Sequence, residues 1–127
     1  MTKPVFKNLS TVLIWSGDFR KLANWYEEIL ELTPVKELNH PKDTGVLFEI
    51  GTGQLWIGQH AHVKGKNKDN CRFMFNLDVD SVNEAYEYLK SKGVKFLAKP
   101  FKAPTMEKYF ATFYDPEDNL LQLFGKK

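Results

Sequence analysis

Phe113-Tyr114-Asp115-Pro116-Glu117-Asp118-Asn119 runs straight into Leu120-Leu121-Gln122-Leu123-Phe124. Two apolar runs flank a polar centre. Asp115 and Pro116 open a turn in which the proline ring sets φ, and Asn119 tolerates a left-handed backbone, so the stretch predicts a hairpin that closes a sheet. Alternation in the second run sends Leu121 and Leu123 to one face and Leu120, Gln122 and Phe124 to the other.

Upstream, Tyr109 to Tyr114 and Val94 to Ala98 read as two further strands, and Arg72 to Val79 alternates as another. Between them Ser81-Val82-Asn83-Glu84 is a capping box that launches a helix with Val82, Ala85, Tyr86 and Leu89 on one face. Gly93 is its expected C-terminal cap. The first half of the chain has the same order. Leu9 to Trp15 reads as a strand, and Asp18 caps a helix whose buried stripe is Phe19, Leu22, Ala23, Tyr26, Ile29 and Leu30. Thr33-Pro34 is expected to end that helix and Asn39-His40-Pro41-Lys42-Asp43 to be loop. Val46 to Ile50 and Gln54 to Gly58 then form a hairpin around Gly51-Thr52-Gly53. The expectation is a repeated unit within one domain over residues 1–127: module one over about residues 8–60, a polar linker over about 61–70, and module two over about 71–124.

A chain of 127 residues buries roughly two thirds of its unfolded surface, so neither disulfides nor a structural metal is required. Its formal net charge is +2, with lysines scattered among acids, which argues against a nucleic-acid partner. No apolar stretch approaches the roughly 20 residues of a membrane span, and without a signal peptide the expected compartment is the cytoplasm. Cys71, the single cysteine, stands at a strand start with no basic neighbour that would make a reactive thiolate.

Alternation assigns the faces. Val12 and Ile14 pack under the first helix, and Thr11, Leu13 and Trp15 face away from it. Phe73, Phe75 and Leu77 pack under the second helix, and Arg72, Met74 and Asn76 face away. A two-residue turn at Thr52-Gly53 pairs Glu49 with Trp56 on the same open face; a three-residue loop would change that pairing. Trp15, Trp56, Phe110, Tyr114 and Phe124 then give the open faces an aromatic character, which suits a small-molecule site.

The "FYDPxxNxLxL" ending resembles the closing hairpin of the vicinal oxygen chelate superfamily, which includes glyoxalase I, bleomycin-resistance proteins, extradiol dioxygenases and fosfomycin-resistance enzymes. Asn24-Trp25-Tyr26-Glu27-Glu28-Ile29-Leu30 is similar to the family's "FYxxxLG", and Val79-Asp80-Ser81-Val82 before Tyr86 and Leu89 extends the likeness over Asn8 to Phe124. The resemblance implies an α+β fold in which two β-α-β-β-β modules form a curved, cavity-enclosing mixed sheet with helices on the convex side. Carried across strand by strand, it places the family's four metal positions at Thr11, Trp56, Met74 and Gln122. Metal-dependent members have mainly His and Glu there, as hard or borderline divalent ions require. No metal and no cofactor are therefore expected.

The expected ligand-contacting set is Thr11, Trp15, Glu49, Trp56, Arg72, Met74, Asn76, Phe110, Gln122 and Phe124. The ligand is expected to be a small flat or aromatic molecule, held as in the bleomycin-resistance branch without metal chemistry, by a homodimer. Two other classes stay open. One is a lyase or isomerase in which Glu49 is the general base, its pKa raised beside Trp56 unless Arg72 pairs with it, and Thr11, Gln122 or Arg72 donates hydrogen bonds. The other is a scaffold that has filled its own pocket. His60 and His62 are alternate residues that could share a metal on a continuing strand, but lack an identifiable third donor and read as a solvated loop pair. His40 reads as a loop residue at the cavity rim.

Overall fold

The computed structural model describes residues 2–127, which divide into two compact units, one ending at Lys64 and one spanning Gly65–Lys127. The first contains β1 (Thr11–Ser16), α1 (Phe19–Glu28), β2 (Thr33–His40), β3 (Asp43–Ile50) and β4 (Gly53–Gln59). The second contains β5 (Met74–Ser81), α2 (Val82–Ser91), β6 (Phe96–Lys102), β7 (Tyr109–Tyr114) and β8 (Leu120–Lys126). The sheets are ordered β1-β4-β3-β2 and β5-β8-β7-β6. In each, the strand before the helix runs parallel to the last strand, and the other pairs are antiparallel. The fold is α+β, built of two β-α-β-β-β modules with mixed sheets, as the resemblance implies.

Capping chemistry sets both helix starts. The Asp18 carboxylate accepts the Lys21 N–H, and the Ser81 hydroxyl accepts the Glu84 N–H at 3.2 Å. At its far end α2 closes with the paired bonds of a Schellman motif, Val94 N–H to Leu89 C=O and Gly93 N–H to Lys90 C=O, with Gly93 at φ +85°. The first helix stops earlier than Thr33-Pro34: Ile29 is its C-cap, and Glu31 takes a left-handed φ of 56°. Leu22, Ala23 and Tyr26 of α1 are buried, as are Val82, Tyr86 and Leu89 of α2. They cover Ile14, Phe48, Leu55 and Ile57 in one unit and Ala111, Phe113, Leu121 and Leu123 in the other.

Thr33-Pro34, expected to end the helix, and Asn39-His40, expected to be loop, are instead the two ends of β2. Seven of its eight side chains are exposed, Leu38 being the exception. An edge strand with neither face covered needs no apolar alternation, so its sequence carries no strand pattern. His40 is thus the last residue of a strand. Arg20 of α1 and Glu37 of β2 form an ion pair on this side.

The closing turn spans residues 115–119. Asp115 is 3% exposed, and its carboxylate accepts the N–H groups of Glu117 (2.8 Å) and Asn119 (3.0 Å) and the Asn119 side-chain amide (2.8 Å). The left-handed residue is Asp118, at φ 63°, rather than Asn119. The stretch expected as linker contributes here: Asn67 N–H donates to Glu117 C=O and the Asn70 amide to Asp118 C=O, both at 2.8 Å.

Phe73, expected under α2, precedes β5 and is 83% exposed. Arg72 likewise lies before the strand, and its guanidinium pairs with Asp69 at 2.6 Å.

Candidate functional site

Each sheet has one face under its helix and one open face, and cross-strand partners share a face. In the first unit Thr11 pairs with Gln54, Leu13 with Trp56 and Trp15 with Gly58. Across β3, Gly45 pairs with Gly58, Leu47 with Trp56 and Glu49 with Gln54. The hairpin turn is Gly51-Thr52, with Gly51 left-handed at φ 59° and Ile50 opposite Gly53. The expected Glu49–Trp56 pair is therefore displaced: Gln54 lies opposite Glu49. The displacement is two residues, so Glu49 and Trp56 still share the open face, whereas a shift of one would have separated them. Glu49 is exposed.

Trp56 is 7% exposed although it belongs to the open face. Two glycines explain this. A Cβ at Gly45 would meet Trp56 Cζ2, and one at Gly58 would overlap Trp56 Nε1 and come within 2.7 Å of Trp15 Cζ3. The Trp56 indole lies across both backbones, with Trp15, 40% exposed, against the same Gly58. Interior strand glycines allow such close approach, and that is the one signal in the sequence that could have located this arrangement.

On the open face of the second unit, Met74 pairs with Leu120, Asn76 with Gln122 and Asp78 with Phe124. Thr112 lies opposite Gln122, and Phe110 opposite Phe124. The Gln122 amide donates to Thr112 Oγ1 at 3.2 Å. Three rings form a row: Phe101 stacks on Phe110 at 5.7 Å and 25°, and Phe110 meets Phe124 at 5.0 Å. Lysine ammonium groups lie over two aromatic rings of this face, Lys108 over Phe124 at 5.9 Å and Lys95 over Tyr114 at 5.0 Å. Leu120, expected to line a cavity, is 2% exposed. Phe101 escapes sequence reading because the predicted strand ends at Ala98 and β6 is irregular, whereas Asp78 and Thr112 follow from the alternation that places Asn76 and Phe110.

The four positions that the resemblance assigns to the family's metal ligands offer poor donors. Thr11 Oγ1 bonds the Gln54 amide at 3.3 Å, Trp56 presents an indole, Met74 a thioether, and Gln122 a neutral amide bonded to Thr112. These residues do not fit a divalent ion that takes imidazole and carboxylate ligands. Among the described residues, no group of three His, Cys, Asp or Glu side chains is arranged to hold a metal.

Beside the first sheet, His60 follows β4. Its imidazole meets the Trp15 ring edge-on at 5.6 Å and that of His62 at 5.6 Å. Cys71 is exposed, with Sγ 3.7 Å from Asn70 Oδ1.

Two β-α-β-β-β modules of the same strand order define a class. The chain belongs to the glyoxalase/bleomycin resistance protein/dioxygenase superfamily, whose family model matches residues 8–123. It is 27% identical over 117 residues to the uncharacterized protein YraH of Bacillus subtilis (strain 168), covering 85% of this chain and 90% of that one. Its fold is similar to that of a glyoxalase family protein from Enterococcus faecalis, at 19% identity and a TM-score of 0.77, with 94% and 98% of the two chains covered. It is also similar to that of SMU.1112c, at 19% identity and a TM-score of 0.80, with 94% and 99% covered. Among the described residues no helix is long and apolar enough to cross a membrane.

Proposed function

We propose that this protein is a metal-independent member of its superfamily that binds a small flat or aromatic molecule. The observation that carries the reading is the Trp56 indole at a position that the resemblance assigns to a metal ligand, seated across Gly45 and Gly58 beside the half-exposed Trp15. An aromatic wall replaces a metal. Each unit's open face is mostly apolar with a few polar groups able to orient a ligand, Thr11 and Glu49 on the first and Asn76 and Gln122 on the second. On the second face Phe110 and Phe124 supply ring surface and Met74 an adaptable contact, with Arg72, paired with Asp69, just before β5. The working form is a homodimer in the cytoplasm, needing no cofactor, nucleic acid or membrane.

The lyase or isomerase reading rests on Glu49 sharing a face with Trp56. Binding is favoured because Glu49 is exposed and the sequence offers a candidate base without an identifiable electrophilic partner.

Fluorescence titration of the purified protein with planar aromatic compounds tests the reading. Saturable quenching is expected, and Trp56→Ala should weaken binding by roughly thirtyfold, the loss of about 2 kcal/mol typical of an aromatic anchor. Native mass spectra should show a dimer without a bound divalent ion. A stoichiometric metal, or quenching that never saturates, would overturn the proposal.

A further inference from the structure

The loop after β4 holds one imidazole in a defined state. The His60 N–H donates to Ser16 C=O at 2.9 Å, and its own C=O accepts the Val63 N–H at 3.1 Å, so the residue is held on both sides. The carbonyl of Val63 then lies against Gly17, where a Cβ would collide with it. His60 Nδ1 accepts the backbone N–H of His62 at 3.1 Å. Only an unprotonated nitrogen can accept, so in the neutral ring the proton resides on Nε2. Among the described residues nothing is bonded to that Nε2. The ring is exposed, edge-on to Trp15 on one side and to His62 on the other.

We infer that His60 is a ligand-binding residue, a fixed Nε2–H donor beside the Trp15 ring that selects planar heteroaromatic or carbonyl-bearing ligands with a hydrogen-bond acceptor on the ring edge. This rests on the proposed reading of the Trp15–Trp56 face as a binding wall. The chemistry follows from the pairing of a π surface with a directed donor. An aromatic wall alone accepts any flat apolar molecule. A donor held at its margin is satisfied only by a ligand that brings an acceptor to it, so the pair discriminates by one hydrogen bond, about fivefold in affinity. The tautomer matters as much as the position, because an imidazole protonated on Nδ1 would present a lone pair at Nε2 and favour donors instead.

Two measurements test this on the intact chain at pH 8. Long-range ¹H–¹⁵N correlation of the imidazoles should show His60 as the Nε2–H tautomer; an Nδ1–H tautomer would overturn the inference without touching the binding reading. Quinoline and naphthalene, the same shape with and without a ring acceptor, are then titrated while the Trp15 indole resonance is followed. Quinoline should bind about fivefold more tightly. In His60→Phe, which keeps a ring against Trp15, that preference should vanish while naphthalene binding persists, and His60→Gln, whose amide nitrogen reaches the Nε2 position, should restore part of it. Equal binding of both probes, unchanged in His60→Phe, would sink the donor role alone. If neither probe moves the Trp15 resonance, the aromatic wall and the inference built on it fall together.

Discussion

Replacing Gly58 by alanine probes the arrangement on which the proposed site depends. The three atoms that a Cβ at Gly58 would meet are all side-chain atoms of Trp56 and Trp15, with Trp15 Cζ3 at 2.7 Å. The backbone there needs no left-handed φ, so the substitution acts through the indoles alone. Trp56 is 7% exposed, and a tryptophan buries on the order of 200 Å², so full eviction would forfeit about 5 kcal/mol at 25 cal/mol per Å². The ring can tilt rather than leave, so roughly half of that, about 2–3 kcal/mol, is expected. For a chain of this length the melting temperature should fall by roughly 10 °C. Thermal denaturation followed by circular dichroism gives the stability, and red-shifted tryptophan emission reports the exposed indole. Gly53→Ala is the control, since its Cβ would meet only Ile50 O at 3.6 Å. The decisive comparison is a double-mutant cycle: in a Trp56→Ala background Gly58→Ala should cost much less, leaving a coupling of about 2 kcal/mol. A Gly58→Ala protein with unshifted emission and a melting temperature within about 2 °C of the parent would refute the account of Trp56, as would full additivity in the cycle.

Asp115→Ala should destabilise by about 2–4 kcal/mol in urea denaturation, because it leaves three donors of the closing turn without their carboxylate, while Asp115→Asn should cost clearly less; equal, small losses would show the turn to be held by other contacts. Elemental analysis after dialysis should find far less than one equivalent of zinc, nickel, iron or manganese per chain, and a chelator should change neither fold nor ligand binding. For any substrate found to be turned over, Glu49→Gln should lower the rate by about 10² to 10⁴ with near-normal binding if Glu49 is the base. If it orients a ligand, affinity should change instead, and that second outcome is the one expected.

The parts of this molecule legible in the sequence are those governed by neighbours along the chain. Asp18 and Ser81 cap their helices because a side-chain oxygen can reach an N–H three residues on, and Gly93 ends α2 because a left-handed φ suits glycine. The face of each strand residue follows from a period of two. The sequence alone therefore determined the strand-helix-strands order of each half, the helix faces and the face-sharing of Thr11, Trp15 and Trp56, and of Met74, Asn76, Phe110, Gln122 and Phe124. Tertiary structure decided what alternation cannot encode. β2 formed at a sheet edge, where an exposed strand needs no apolar pattern. The Gly51-Thr52 turn moved Gln54 opposite Glu49, and Arg72 was taken by Asp69. Gly45 and Gly58, unremarkable as letters, became the floor beneath Trp56 only when β3 and β4 brought them side by side. Caps and periodicity are local and survive translation into a string of residues; registers, bulges and the room above a glycine depend on strands that meet only in the folded chain.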